Sequence, residues 1–386
     1  MSKSARATIA LFSLVCSVFS LSLPAFCAPV LAGYLFPQGK QISPGELDAT
    51  AITRINYAFA RIQNGRIVEG FPTDAANLTA ITAMRQSHPG LSVLISVGGW
   101  TWSDGFSDAA LTKRSRATLV ASAVEFLRRY ELDGIDVDWE YPGQAGAGHT
   151  FRSRDKRNFT LLMRDLRAAL NRESRKERRP LELTMAAGAS EDFLQHTEMR
   201  KAQLYVDAVN LMTYDYYGPA SDTITGNHAP LLTDPADPKH MSADASVRAF
   251  VTAGVPASKI VLGIPFYGRA WADVPDAQHG LFQPGRQSSL GELPYSAIQS
   301  IMLGAGFTRY WDEAAQVPYL YNPKTREFVS YEDEESAAAK SRYALSHKLQ
   351  GIMFWRFFND PSGQLLHAIT QELYSPGSAP MGYGNE

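Results

Sequence analysis

The stretch Leu132–Tyr141 reads Leu-Asp-Gly-Ile-Asp-Val-Asp-Trp-Glu-Tyr, and it decides the fold. Its carboxyl-bearing residues Asp136, Asp138 and Glu140 alternate with apolar residues. Alternation with a period of two is typical of a β-strand, whose successive side chains point to opposite faces. The stretch therefore predicts a strand with three carboxyl groups on one face. The other face would carry the apolar side chains, which are Ile135, Val137 and Trp139.

The spacing of these carboxyl groups has a chemical consequence. Alternate residues of a strand lie about 6–7 Å apart, so three such groups in a confined space cannot all ionise without a large electrostatic cost. At least one of the three pKa values must therefore be raised. A carboxyl group with a raised pKa can donate a proton near neutral pH, which is the property of a general acid.

A bound metal ion is the alternative explanation for three neighbouring acids, because Mg²⁺ and Ca²⁺ prefer oxygen ligands. The fixed spacing along a strand and the lack of a neighbouring loop rich in Asn and Asp argue against a metal site. No glycine-rich GxGxxG or GxxxxGK element follows any predicted strand, so nucleotide binding has no support. We expect neither a metal nor a cofactor.

Composition restricts the classes of function that need to be considered. The 386 residues are 45% hydrophobic and 20% charged, which is typical of a globular protein with a large core. The formal net charge of −2 argues against nucleic acid or an anionic membrane as the main partner. The length suits either one large α/β domain with an insertion or two domains.

The N-terminus has the pattern of a signal peptide, which we predict to occupy residues 1–28. Lys3 and Arg6 precede the apolar segment Ala7–Leu23, and small residues at Ala25 and Ala28 offer a cleavage site. The apolar run is shorter than the ~20 residues that a membrane span needs. We expect a secreted or periplasmic protein that is not held in a membrane after cleavage. Both cysteines, Cys16 and Cys27, would be lost with the signal, leaving no disulfide.

Short apolar runs recur along the chain with helical patterns between them. The predicted strands are Val30–Phe36, Arg54–Ala60, Ser92–Val97, the acidic stretch, Leu181–Ala187, Ala208–Thr213, Ile260–Phe266 and Gly351–Trp355. Such alternation predicts an α/β protein with a closed (β/α)8 TIM barrel, and an open doubly wound sheet is the less favoured alternative. Helices are predicted at Thr112–Tyr130, at Arg154–Asn171 and from about Asp333 to Lys348.

One connection is much longer than the others. About 80 residues separate the seventh and eighth predicted strands, whereas such connections are normally short. We therefore predict a small α+β insertion at residues 269–330. The barrel would then comprise residues 29–268 and 331–375, followed by a flexible tail at residues 376–386.

Several motifs resemble those of one known family. Asp133–Glu140 is similar to the DGxDxDWE signature of the family 18 glycoside hydrolases, the chitinases. Ser96–Trp100 resembles the SxGG element of that family, Met212–Asp215 its MTYD element, and Ile264–Arg269 its PxYGR element. Gly351–Trp355 resembles its last strand. The resemblance covers nearly the whole mature chain, and departs from the family pattern at Arg356–Phe358.

The resemblance implies a role for each acid and a set of substrate-binding residues. Glu140 would be the proton donor, Asp138 would position the acetamido group of the sugar, and Asp136 would pair with Asp138 and share a proton with it. Tyr214 would orient the acetamido carbonyl, and is the fourth expected catalytic residue. The expected substrate-binding residues are Tyr34, Phe59, Ser96, Gly98, Gly99, Trp100, Thr101, Tyr141, Met212, Thr213, Asp215, Tyr267, Arg269 and Trp355. Among them, Trp355 would be the floor under the cleaved sugar, and Trp100 would stack on the leaving-group side.

Two mechanisms remain open from the residues alone. Asp138 and Glu140 could be the acid and the nucleophile of an ordinary retaining pair, whose carboxyl groups lie about 5–5.5 Å apart. The resemblance instead implies a substrate-assisted reaction, in which the 2-acetamido group of the sugar is the nucleophile. In either case the expected activity is endo-chitinase action with retention of configuration.

The expected substrate is chitin or a chitooligosaccharide, and we expect the protein to act as a monomer. A chitinase-like lectin is one alternative, but such lectins typically lose one of the acids, and all three are present here. An endo-β-N-acetylglucosaminidase that acts on N-glycans or wall-type polymers is another. Trp100 and Trp102 favour a long linear polymer over a branched glycan.

Overall fold

The structure is a computed structural model that describes residues 28–302 and 304–374. The predicted tail, both cysteines and all of the predicted signal peptide except Ala28 lie outside the described residues. Within the described ranges, no helix combines the length and the apolar character needed to cross a membrane.

A closed barrel of eight parallel strands forms the main body of the protein. In chain order, the strands are β1 (Val30–Leu35), β2 (Arg54–Gln63), β3 (Arg66–Val68), β4 (Ser92–Gly98), β5 (Gly134–Asp138), β6 (Glu182–Gly188), β7 (Ala208–Met212), β8 (Ile260–Pro265), β9 (Tyr267–Ala272), β10 (Arg286–Pro294), β11 (Thr308–Asp312), β12 (Val317–Asn322), β13 (Glu327–Ser330) and β14 (Gly351–Trp355). The barrel order is β1, β2, β4, β5, β6, β7, β8 and β14, and β1 pairs with both β2 and β14 to close the ring. The predicted TIM barrel is thus confirmed.

Helices lie between the strands in the chain. They are α1 (Asp74–Ala83), α2 (Phe106–Leu111), α3 (Lys113–Arg129), α4 (Asp155–Glu177), α5 (Glu191–Gln195), α6 (Met199–Ala202), α7 (Ala243–Thr252), α8 (Tyr295–Met302), α9 (Glu334–Ser346) and α10 (Gln364–Tyr374). Capping boxes begin two of them: the Thr112 side chain accepts a hydrogen bond from the backbone of Ser115 at the start of α3, and Asp333 does the same for Ser336 at the start of α9. These caps satisfy backbone N–H groups that have no partner within the helix.

The end of α4 was predicted too early. The helix was predicted to end at Asn171, but it continues through the basic run that starts at Arg172 as far as Glu177, and it ends where Arg178 adopts a left-handed conformation. The reason lies in Glu173, which is 4% exposed and accepts two hydrogen bonds of 2.5 Å from Arg128 of α3. The run therefore keeps an inward face that packs on the neighbouring helix.

A second, antiparallel sheet lies between β8 and β14 in the chain. Its strand order is β10, β9, β13, β12 and β11, and α8 follows β10. The sheet begins at Tyr267, two residues before the predicted start of the insertion, and ends at Ser330. Trp271 and Phe328 are fully buried and pack edge to face at 5.9 Å, so this sheet has apolar packing of its own.

A buried ion pair fixes α9 beside the second sheet. Lys340 and Glu332 are both fully buried and contact each other, and Lys340 Nζ also donates to the backbone oxygen of Ala229. Burial raises the pKa of Glu332 and lowers the pKa of Lys340, so each side chain depends on its partner to remain charged.

We predict that Lys340→Met destabilises the protein by about 3–5 kcal/mol, because Glu332 would be left as an uncompensated buried carboxylate. Urea unfolding measures the change. Combining Lys340→Met with Glu332→Leu should recover most of the loss, since an apolar pair can replace a buried ion pair. The control is Arg66→Met at the exposed Arg66–Glu125 pair, for which a change below about 1 kcal/mol is expected. An unchanged stability of the Lys340 variant would contradict the prediction.

Candidate active site

Three acids lie at the C-terminal end of β5, inside the mouth of the barrel. Asp136 is fully buried, Asp138 is 4% exposed and Glu140 is 9% exposed. The intervening Trp139 points the other way, where it stacks on Phe106 at 5.2 Å. The alternation in the sequence thus separates a face that packs against helices from a face that carries carboxyl groups. In TIM barrels, the C-terminal ends of the strands form the active site.

Asp136 is held by uncharged donors from four other strands. Its Oδ2 accepts hydrogen bonds from Tyr34 Oη at 2.9 Å and Ser96 Oγ at 2.8 Å. Its Oδ1 accepts from Thr184 Oγ1 at 2.5 Å and Asn210 Nδ2 at 3.0 Å. Burial raises the pKa of Asp136, although the hydroxyl donors oppose that rise. Neutral donors thus occupy both Asp136 oxygens, and the expected sharing of a proton between Asp136 and Asp138 stays a prediction.

Asp138 instead pairs with Glu140. Their side chains are in hydrogen-bonding contact, and such contact between two carboxyl groups requires one shared proton. Burial is the main cause that raises the pKa of Asp138 well above its usual value, with the charges of Glu140 and Asp136 adding to it. Burial also raises the pKa of Glu140 to about 7. The pair thus retains a proton near neutral pH.

Backbone packing positions this pair. Gly98 has a φ of 108°, and a Cβ there would lie 2.2 Å from the backbone oxygen of Asp138, so only glycine permits this close approach of β4 to β5. Ser103 Oγ donates to that same oxygen at 3.1 Å and accepts from the Glu140 backbone N–H at 2.9 Å. The peptide bonds Ala58–Phe59, Glu140–Tyr141 and Trp355–Arg356 are cis.

A second charged group joins β7 to the second sheet. Arg269 Nε and Nη2 donate to the two oxygens of Asp215 at 2.8 and 2.9 Å, and Tyr267 Oη donates to Asp215 Oδ2 at 2.8 Å. Burial opposes the charge of Asp215, but His228 and Arg269 outweigh it and hold the pKa of this carboxyl well below its usual range. Asp215 is thus an ionised, fixed group, in contrast to the proton-sharing pair.

Aromatic side chains form two walls of the mouth. Trp355 lies 5.7 Å from Tyr34 and 5.5 Å from Phe59, measured between ring centroids. On the side of the mouth that carries the acids, the Trp100 side chain is 51% exposed. Its ring packs edge-on against that of Tyr141, with 6.4 Å between the ring centroids. Because β14 and β5 are four strands apart in a ring of eight, these two walls face each other across the mouth.

The structure separates the predicted binding residues into those that line the mouth and those that support it. Partly exposed side chains at the mouth are Trp100, Thr101, Tyr141, Met212, Tyr214, Asp215, Arg269 and Trp355. Ser96 and Thr213, which were expected to contact substrate, are fully buried. The Ser96 hydroxyl bonds to Asp136, and Thr213 Oγ1 donates to the backbone oxygen of Gly263 at 2.7 Å. Both therefore hold strands together.

Four residues at the site were not expected from the sequence. Thr184 and Asn210 bind Asp136, Ser103 holds the backbone around Glu140, and His228 has its Nδ1 3.7 Å from Asp215 Oδ1. Thr184 and Asn210 are polar residues inside otherwise apolar strands, and that anomaly could have indicated them. Ser103 begins a 3-10 turn and His228 lies in a loop, and neither carries a comparable signal.

The arrangement suits proton transfer more than metal chemistry. In residues 28–302 and 304–374, no group of three or more His, Cys, Asp or Glu side chains is placed to hold a metal ion. A carboxyl pair that keeps one proton near neutral pH, between aromatic walls, is an arrangement suited to glycoside hydrolysis.

The sequence profile of the glycosyl hydrolases family 18 matches residues 30–360, and the chain belongs to this family.

Individual relatives agree with this assignment. Chitinase A1 from Niallia circulans is 36% identical, with 89% of this chain aligned to 58% of that protein. The structure of chitinase ChiW from Paenibacillus sp. str. FPU-7 superposes with a TM-score of 0.85 at 39% identity, covering 90% of this chain and 33% of that chain. A family 18 N-acetylglucosaminidase from Paenibacillus barengoltzii superposes with a TM-score of 0.82 at 41% identity. The superposition covers 89% of this chain and 99% of that chain. The chain thus spans little more than half of the curated relative.

We predict that Asp136→Asn lowers the free energy of unfolding by about 1–3 kcal/mol. An amide offers acceptors on one side only, so its NH₂ group would oppose two of the four donors. Urea unfolding of the purified variant measures the effect. Asp276→Asn, at a carboxylate that is 66% exposed, is the matched control and should change stability by less than about 0.5 kcal/mol. Equal stabilities of the two variants would show that the four hydrogen bonds contribute little.

Proposed function

We propose that this protein is a chitinase that hydrolyses β-1,4-linked N-acetylglucosamine polymers by a retaining, substrate-assisted mechanism. The observation that carries the proposal is the Asp138–Glu140 pair at the barrel mouth, where burial raises both pKa values. Membership of family 18 and the similarity to Chitinase A1 from Niallia circulans support the choice of substrate.

Glu140 is the proton donor of this proposal. With a pKa of about 7, it remains substantially protonated near neutral pH, as a general acid must. It lies between Asp138 and Tyr141, on the side of the mouth where Trp100 offers an exposed ring. A sugar that stacks on Trp100 would therefore be the leaving group, and its glycosidic oxygen would receive the proton.

Asp138 positions the nucleophile, which the substrate itself provides. Asp138 Oδ1 is buried and has no hydrogen-bond partner among the described residues, so it can accept the N–H of the 2-acetamido group. The acetamido carbonyl oxygen then attacks C1 while the bond from C1 to the leaving oxygen breaks, and that oxygen takes the proton of Glu140. Water, deprotonated by Glu140, opens the resulting oxazolinium ion, so the configuration at C1 is retained.

The remaining mouth residues bind the sugar. Trp355 provides the apolar floor under the cleaved sugar, and Tyr214 orients the acetamido carbonyl. The Asp215–Arg269 ion pair offers charged groups that can form hydrogen bonds with the sugar beside Trp355 and Tyr214. Asp215 does not compete for the nucleophilic role in this scheme, because Arg269 and Tyr267 already engage both of its oxygens.

We further propose endo action by an exported monomer. Export rests on the signal-peptide pattern, and endo action rests on the exposed Trp100, which offers a surface for sugars beyond the cleaved bond. An N-acetylglucosaminidase that releases single sugars from a chain end is the second candidate, because one similar structure, at 41% identity, is that of an N-acetylglucosaminidase. A sugar-binding lectin is not favoured, since such lectins typically lose one of the acids, and Asp136, Asp138 and Glu140 are all present.

We predict that Glu140→Gln lowers kcat/KM on chitohexaose by at least about 10³-fold, because glutamine has the same shape but cannot donate the proton. Product release measured by chromatography gives the ratio. Glu313→Gln, at an exposed glutamate in the turn between β11 and β12, is the control and should keep full activity. Activity of the Glu140 variant within tenfold of the wild type would sink the assignment.

The mechanism predicts a strict requirement for the acetamido group. Chitohexaose should be cleaved with the β-anomer as the first product, whereas the fully deacetylated hexamer should be cleaved at least about 10³-fold more slowly, because it lacks the nucleophile. Efficient cleavage of the deacetylated hexamer would favour an ordinary carboxylate nucleophile. The same digest separates the two modes of action: endo action gives dimers to tetramers early, and exo action gives monomer throughout.

A further inference from the structure

Arg356 occupies an unusual position at the rim of the mouth. It follows Trp355 directly, and its guanidinium carbon lies 5.3 Å from the ring centroid of Phe36 and 5.9 Å from that of Trp355. The two rings are themselves 5.9 Å apart, so the cation sits over an aromatic pair. Cations are stable over the faces of aromatic rings, and this contact fixes the side chain beside the floor of the site.

No carboxylate in the part of the chain that the structure describes forms an ion pair with Arg356. The charge of Glu292 acts on Arg356, but Glu292 Oε2 lies 3.0 Å from Arg269 Nη1 and is engaged there. The side-chain amide oxygen of Asn359 accepts from Arg356 Nε at a long 3.4 Å. The guanidinium is also half-buried, so its charge is only partly compensated and partly screened.

The topology determines which sugar this charge would meet. Arg356 follows β14, across the mouth from the Glu140 and Trp100 side. If the cleaved sugar lies on Trp355 and the leaving group on Trp100, the next sugar on the non-reducing side lies beyond Trp355. That position is beside Arg356 and Phe36.

We propose that Arg356 is a specificity-determining residue that selects a neutral or acetylated sugar, and rejects a protonated glucosamine, at the position next to the cleaved sugar. The inference rests on the proposed function. The N–H groups of the guanidinium can donate to an acetamido carbonyl or to hydroxyls, whereas an ammonium group at the same place meets a like charge. Partly deacetylated polymers would then be cut preferentially where the sugar next to the cleaved one carries no ammonium group.

Two nitrophenyl glycosides test the proposal with the position of each sugar fixed. Both carry N-acetylglucosamine on the nitrophenyl group, and the outer sugar is either N-acetylglucosamine or glucosamine. At a pH at which the amine is protonated, the wild type should prefer the acetylated glycoside by roughly tenfold or more in kcat/KM, as expected for like charges a few ångströms apart near a protein surface. Arg356→Gln should reduce this preference about tenfold, and Arg356→Glu should reduce it further.

The controls separate charge from shape and from folding. Arg356→Lys keeps the charge and should retain most of the preference, and Arg172→Gln, at an exposed arginine of α4, should leave it unchanged. A third glycoside with a neutral hydroxyl in place of the outer amine should be cleaved at similar rates by the wild type and by Arg356→Gln.

The outcomes distinguish this inference from the proposed function. Failure of the wild type to hydrolyse the acetylated glycoside and chitohexaose would overturn the proposed function and this inference with it. Hydrolysis with the same preference in the wild type, Arg356→Gln and Arg356→Glu would overturn the role of Arg356 alone. Loss of the preference in Arg356→Lys as well would show that the shape of the arginine, and not its charge, is responsible.

Discussion

Three carboxyl groups on one face of a strand are withdrawn from water, and the rest of the site depends on how each is accommodated. A buried carboxylate without partners costs several kcal/mol, so it must be hydrogen-bonded or protonated. Asp136 is hydrogen-bonded, and its four donors come from β1, β4, β6 and β7. Asp138 and Glu140 have few donors, and they retain a proton that they share. The same strand therefore holds a fixed acceptor and a proton donor side by side.

The pattern of the sequence predicted the parts of this arrangement that are local. Alternation along Leu132–Tyr141 was sufficient to predict both faces of β5, since the side-chain period of a strand is independent of its neighbours. The partners of Asp136 could not be predicted in the same way. Tyr34 and Asn210 lie 102 and 74 residues from Asp136 in the chain, and only closure of the barrel brings them together. The predicted sharing of a proton between Asp136 and Asp138 stays a prediction, because the strand pattern alone does not determine which partners meet Asp136.

Element bounds were predicted well where a local signal was strong and poorly where it was weak. β14 has the predicted bounds, because its run is apolar throughout and is buried on both faces. α7 and α10 were not predicted, since each lies next to a long stretch rich in polar and turn-forming residues. Ser43–Glu46 has a capping pattern with Pro44 at the first helical position, but only one 3-10 turn forms there. Caps stabilise a helix end but cannot replace an apolar face.

The second sheet does more than enlarge the barrel, because it supplies the arginine that fixes Asp215 at the mouth. Arg269 of β9 binds Asp215 from the end of β7, and Glu292 of β10 binds Arg269 in turn. Among the described residues Arg356 is left without a carboxylate of its own, since Glu292, whose charge acts on it, is already bound to Arg269. One wall of the mouth is thus made of acids with a shared proton, and the opposite wall carries an excess positive charge. A ligand that spans the mouth meets opposite electrostatic conditions at its two ends, so its orientation is restricted before any chemistry occurs.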